Sequence, residues 1–167
     1  RELSGILRYV QKEPAFTWRG SIKTDEDRVA LPMYFCRDCG ASGWITRRLS
    51  TDDRYCSDVS IINKAFADKE KDIYLLNTES TKHKAVDDYL GDNTMNVTYY
   101  VRLKDLTEAS QSDSDTIRLR ICGKTTSNRN GNHRFARICP ECNGGDTICQ
   151  IGGRTSTLSS VAISQVL

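Results

Sequence analysis

The sequence predicts an α+β fold, antiparallel strands around a split zinc ribbon with a long helix-containing insertion. Three observations carry that prediction. Two cysteine knuckles, Cys36-Arg37-Asp38-Cys39-Gly40 and Cys139-Pro140-Glu141-Cys142-Asn143, stand about a hundred residues apart. Alternating apolar runs lead into or out of both knuckles, as half-buried strands do. Between them, an apolar stripe at spacings of three and four marks one amphipathic helix near residues 58–69.

Residues 1–13 set Leu3, Ile6, Leu7 and Val10 at helical spacing, predicting an N-terminal helix ended by Pro14. Phe16, Trp18 and Ile22 then alternate as in a strand, with Trp18 expected as a packed aromatic. Leu31 to Phe35 is a strand delivering the chain into the first knuckle; Gly40 and Gly43 permit the turn, and residues 44–49 leave as a strand. The helix from Asp58 to Lys69 gathers Val59, Ile62, Ala65 and Phe66 on one face, with Asp52, Asp53 or Ser57 as its N-cap.

Residues 73–77 read as a short buried strand, 80–90 as a helical turn, and Asn96 to Leu103 as an alternating strand. Residues 107–115 read as an exposed loop with no core-forming residue. Ile117, Leu119 and Ile121 alternate with Arg118 and Arg120 along another strand, and Asn130-Gly131 forms a hairpin turn. The return strand, residues 134–138, feeds the second knuckle. Residues 147–151 form a last strand, and a helix opens near Thr155 or Ser156. The 167 residues are thus expected as one domain: lead-in 1–30, first knuckle 31–49, insertion 50–120, second knuckle 121–151, and the start of a helix at 152–167.

A Cys-x-x-Cys turn aims two sulfurs at one spot, and two such turns supply the four thiolates of a closed structural zinc site. Cys36, Cys39, Cys139 and Cys142 are therefore the expected ligands of one zinc ion. An iron–sulfur cluster, a redox dithiol or disulfides are the competing readings. The odd total of seven cysteines and the lack of a secretory signal weigh against disulfides. Four thiolates leave no open coordination position, so catalytic zinc is not expected. Cys122 is the substitute ligand should one of the four fail; Cys122 and Cys149 otherwise read as small buried apolar groups on strands.

Composition narrows function without naming it. With 24 Lys and Arg against 22 Asp and Glu, net charge is +2, which gives no bulk attraction for nucleic acid. The apolar fraction is 38% and mean hydropathy −0.53, so a metal staple would assist a modest core. No apolar run approaches the length of a membrane-spanning helix, and the free thiols suggest a reducing, cytoplasmic setting. Both ends read as cut, so a segment excised from a larger protein is expected.

Gly123-Lys124-Thr125 resembles the tail of a phosphate-binding loop, but the motif requires glycine where Arg118 stands. His83 and His133 have no partner suggesting nucleophilic catalysis. Basic side chains are locally denser at Arg47, Arg48, Arg129, Arg134 and Arg137. On neighbouring strands these could meet DNA or RNA phosphates, or else pair with the domain's own carboxylates.

The run Leu31-Pro32-Met33-Tyr34-Phe35-Cys36-Arg37-Asp38-Cys39-Gly40, the later Cys139-Pro140-Glu141-Cys142 and the stretch from Gly152 to Ser164 (GGRTSTLSSVAIS) together resemble a segment of large bacterial DEAD/DEAH-box superfamily 2 helicases. There, a four-cysteine module lies between two RecA-like motor domains. The resemblance implies a non-catalytic accessory domain, flanked by those motors, in an ATP-dependent helicase, with Arg154 added to the candidate nucleic-acid contacts. It covers the knuckles and the C-terminal stretch, and no Walker A loop or DEAD/DEAH box is present. The alternative is a zinc-rigidified protein-interaction module.

Overall fold

Strand pairing organises the described part of the chain in the computed structural model, which covers residues 6–18, 28–48, 55–78 and 94–151. Among the described residues there are ten strands and one helix: β1 (Ile6–Tyr9), β2 (Phe16–Trp18), β3 (Ala30–Cys36), β4 (Ser42–Arg47), α1 (Val59–Ala67), β5 (Ile73–Asn77), β6 (Thr94–Arg102), β7 (Glu108–Ala109), β8 (Thr116–Ser127), β9 (His133–Phe135) and β10 (Ile148–Ile151). The main order is β2-β1-β3-β4-β5-β8-β6-β7, with β10 added on β3 and β9 on β8, and every pair antiparallel. The sheet curls into a half-barrel.

The first departure from expectation is at the N-terminus. Residues 6–9 are a strand, not part of a helix; residues 1–5 lie outside the described chain. Leu7 and Tyr9 are buried and Ile6 and Arg8 half-buried, a period of two, and Leu7 pairs with Pro32 on β3. A helix of about a dozen residues is marginal on its own hydrogen bonds, so pairing with β3 decides. Residues 80–90 and the helix expected from Thr155, like Ile22, His83 and Arg154, fall outside the described residues.

The helix forms where its stripe predicts, burying Val59, Ile62, Ala65 and Phe66. Its N-cap is Asp58, one residue after the expected Ser57: the carboxylate accepts from the Ser60 amide at 3.0 Å and the Ile61 amide at 3.3 Å. That satisfies amide donors the first turn leaves without intrahelical partners. Expected as a loop, residues 107–115 contain β7, paired with β6, and Leu106 just before it is fully buried. The insertion also joins the main sheet: β5 pairs with β4 on one side and β8 on the other.

Ladder register assigns the faces. Paired residues point the same way, so Tyr34, Gly43, Ile45, Leu75, Asn77, Arg120 and Cys122 share one face, which Cys36 and Lys124 extend. α1 packs on this face, Val59 joining Leu7, Tyr9 and Ala30, and Asn63 bonding Gln150 of β10. Leu31, Met33, Trp44, Leu76, Leu119 and Ile121 line the opposite face and are also buried, with the Arg8 guanidinium 4.4 Å above the Trp44 ring. Burial of both faces explains why β5, Ile73-Tyr74-Leu75-Leu76-Asn77, reads as a nearly continuous apolar run.

Candidate metal centre

The two knuckles fold alike because their sequences make the same local bonds. In the first, the Gly40 amide donates to the Cys36 carbonyl at 3.0 Å and the Cys36 amide to the Ala41 carbonyl at 2.8 Å. In the second, the Asn143 amide donates to the Cys139 carbonyl at 3.0 Å and the Cys139 amide to the Gly144 carbonyl at 3.2 Å. The residue after each second cysteine takes a left-handed conformation, Gly40 at φ +75° and Asn143 at φ +56°. Glycine and asparagine tolerate that region best, which is why those residues stand there.

Long-range pairing joins the knuckles. The first closes the β3–β4 hairpin. The second lies in the irregular segment 136–147 between β9 and β10, which pair with different strands, β8 and β3. The return strand expected at 134–138 therefore ends at Phe135. Ala136 donates to the Lys124 carbonyl and then the chain crosses to β3, where Ile148 sits opposite Cys36. The Arg37 amide donates to the Thr147 carbonyl at 3.0 Å, locking one knuckle against the other.

This brings Cys36, Cys39, Cys139 and Cys142 together with all four Sγ atoms within 4.8 Å of one another. Two cross-knuckle pairs are closer, Cys36 to Cys142 at 3.7 Å and Cys39 to Cys139 at 3.6 Å. A tetrahedral ion with metal–sulfur bonds of about 2.3 Å separates its ligands by roughly 3.8 Å. The four thiols thus fit a single four-coordinate metal ion. Each knuckle contributes one buried thiol, Cys36 or Cys139, and one exposed thiol, Cys39 or Cys142. Cys122, the expected substitute, lies buried on β8 outside this cluster, and Cys56 and Cys149 lie elsewhere.

Their protein surroundings set Cys36, Cys39 and Cys139 apart. Burial raises Cys139 and Cys39 above the ordinary thiol range. At Cys36 burial also opposes ionisation, but the Thr147 hydroxyl and the amides of Cys39 and Asp38 outweigh it, holding that thiol at about 7. The Thr147 hydroxyl lies 3.3 Å from Cys36 Sγ and 2.9 Å from the Gly144 carbonyl oxygen, and its single proton turns to the sulfur when Cys36 ionises and to that carbonyl when Cys36 is a thiol.

Beneath the second knuckle lies a buried polar network that sequence reasoning missed. Arg120 donates to the Pro140 carbonyl at 3.1 Å and pairs with Glu141 at 3.4 Å. Asn77 Nδ2 donates to the same Glu141 oxygen at 3.2 Å and to the fully buried Tyr34 hydroxyl at 3.4 Å. Lys124 Nζ reaches the Asn143 side-chain oxygen at 2.7 Å. Such outer contacts fix ligand orientation, and two cations here oppose the negative charge of four thiolates. The sequence signal was the polar face of β8, Arg120 and Lys124 at a spacing of four. Replacing Arg120 with Met should lower unfolding free energy by about 3–5 kcal/mol, because it strands a buried carboxylate. Urea denaturation of the metal-saturated protein measures this, and Glu141→Gln added to Arg120→Met should restore most of the loss.

Among the described residues, the candidate nucleic-acid arginines do not form one patch. β4, which carries Arg47 and leads into Arg48, and β9, which carries Arg134, are separated by β5 and β8, so the expected adjacency fails. Arg47 pairs with Asp72, and Arg48 with Glu108 at 3.7 Å. Arg137 lies 4.5 Å from the centre of the Phe66 ring and donates to the Phe66 carbonyl. Arg129 and Arg134 are exposed in and beside the β8–β9 turn. Gly123-Lys124-Thr125 lies within β8 rather than in a loop cradling phosphate. No helix among the described residues is long and apolar enough to cross a membrane.

No protein-family profile, curated protein or solved structure matches this chain.

Proposed function

We propose that the four cysteines bind one structural zinc ion and that the chain serves as a rigid, non-catalytic accessory domain. The observation carrying this is the four-sulfur cluster, with cross-knuckle separations of 3.6 and 3.7 Å and hydrogen-bonded knuckles behind it. Thiolate softness and near-tetrahedral spacing favour zinc among divalent ions, and four protein ligands leave no position for a reacting water. Bound zinc would supply cross-linking rather than chemistry: Cys36 and Cys39 would hold it from β3 and its turn, Cys139 and Cys142 from the crossing segment.

The helicase resemblance would place such a domain beside ATP-driven motors that move on nucleic acid, and that placement is part of the proposal. Its knuckle residues lie in the described structure; its C-terminal stretch does not.

Purified under reducing conditions, the protein should contain one zinc per chain by elemental analysis. Cobalt exchange should give the intense visible bands of a tetrahedral four-thiolate complex. Sub-stoichiometric metal after zinc supplementation, or an octahedral cobalt spectrum, would refute the assignment. A brown, iron-containing protein would instead favour the iron–sulfur reading.

A further inference from the structure

We propose that the β8–β9 hairpin is a docking arm for the phosphate backbone of nucleic acid. The inference deepens the accessory reading and rests on it only for the choice of nucleic acid among polyanions.

The first support is charge segregation. From Thr116 to Pro140 the chain has six Lys and Arg residues and no Asp or Glu, although net charge overall is only +2. The rest of the chain therefore carries 18 basic residues against all 22 acidic ones. The structure then sorts those six cations. Arg120, Lys124 and Arg137 are turned inward, onto the second knuckle and α1. Arg118, Arg129 and Arg134 are exposed, the last two on the arm itself.

The second support is the form of the arm. Residues 126–134 are exposed without a break and contain no apolar side chain. Asn128 stiffens the tip: its side-chain oxygen accepts from the amides of Asn130 at 3.0 Å and Asn132 at 2.9 Å, and its carbonyl from Gly131 at 3.0 Å. Gly131, at φ +77°, supplies the left-handed turn. At the root, the Phe135 amide donates to the Lys69 carbonyl at the end of α1, and four residues on the chain reaches Cys139. The arm is thus anchored to the helix and the metal knuckle, and little ordering entropy is lost on binding.

The third support is chemical. Arginine with Ser, Thr and Asn donors is the set that contacts nucleic-acid phosphates and sugars. A lipid surface would need an apolar face to insert, which residues 126–134 lack.

The full chain, zinc-loaded, is titrated with a fluorescent single-stranded DNA, the matching duplex and single-stranded RNA at 50 and 200 mM salt. Binding should be salt-dependent, with Arg129→Glu/Arg134→Glu weakening it roughly 10-fold or more and lowering the salt slope by about two phosphate contacts. Lys12→Glu/Lys104→Glu, the same charge change at two other exposed turns, should change affinity less than about two-fold. Zinc content and circular dichroism must match wild type, and a milder Arg129→Gln/Arg134→Gln pair replaces the reversal if they do not. Equal affinity of the hairpin variant and wild type overturns the arm while leaving the accessory reading standing. No binding at 50 mM salt, or tighter binding to polyglutamate or anionic vesicles, overturns the choice of nucleic acid. None of these outcomes touches the zinc assignment, which metal analysis decides separately.

Discussion

Cys139→Ser should yield a chain that neither retains metal nor folds. Structural zinc binds with an apparent ~10–16 kcal/mol, and domains of ordinary size are stable by only ~5–15 kcal/mol in total. Cys139 is also fully buried, so losing the ion leaves a polar hydroxyl and unpaired thiols inside the protein. Cys142→Ser removes an exposed ligand, where water can complete the coordination, so it should weaken zinc retention yet leave more folded protein. Cys56→Ser and Cys149→Ser lie outside the cluster and should retain one zinc and a wild-type melt. Elemental analysis together with thermal circular dichroism of all four variants checks this order. Full zinc in Cys139→Ser, or metal loss in Cys56→Ser, would contradict the ligand set.

Gly43→Ala should be nearly as damaging without touching the metal. Gly43 sits within β4, not in the turn as its nearness to the knuckle suggests, and pairs with Tyr34. An added Cβ would stand 2.1 Å from the Leu76 carbonyl oxygen and 2.8 Å from the Tyr34 ring. Neither neighbour can yield cheaply, since one is sheet backbone and the other a fully buried aromatic tied to Asn77. A loss of about 3 kcal/mol, the upper part of the usual overpacking range, is expected. Gly145→Ala, which meets open space, should be close to neutral. Chemical denaturation of both variants in zinc-containing buffer distinguishes a strand clash from a general sensitivity of the knuckle region.

Much of the architecture is legible in the chain. Each knuckle is a local device, its cysteines three positions apart and its turn closed by bonds spanning four or five residues, so spacing alone picks out the four clustered cysteines. The short apolar run at 73–77 and the alternation in 116–122 likewise mark β5 and most of β8, and the stripe on α1 marks the helix. The N-terminal segment misleads because Leu3, Ile6, Leu7 and Val10 fit a helix as well as a strand edge, and only pairing with β3 separates the two. The two-residue β7 lacks any period of its own; its strand character comes from β6.

The arginines show the other limit. Sequence groups Arg47 with Arg48, and Arg134 with Arg137, as neighbouring cations. The fates of Arg47, Arg48 and Arg137 depend on Asp72, Glu108 and Phe66, residues from 25 to 71 positions away. By itself the sequence determined the four-cysteine candidate set, most of the strands and the helix, because those depend on contacts a few residues long. The tertiary structure alone decided how the knuckles meet, what lies beneath them and which cations face solvent, because those contacts join segments that only the folded sheet brings together.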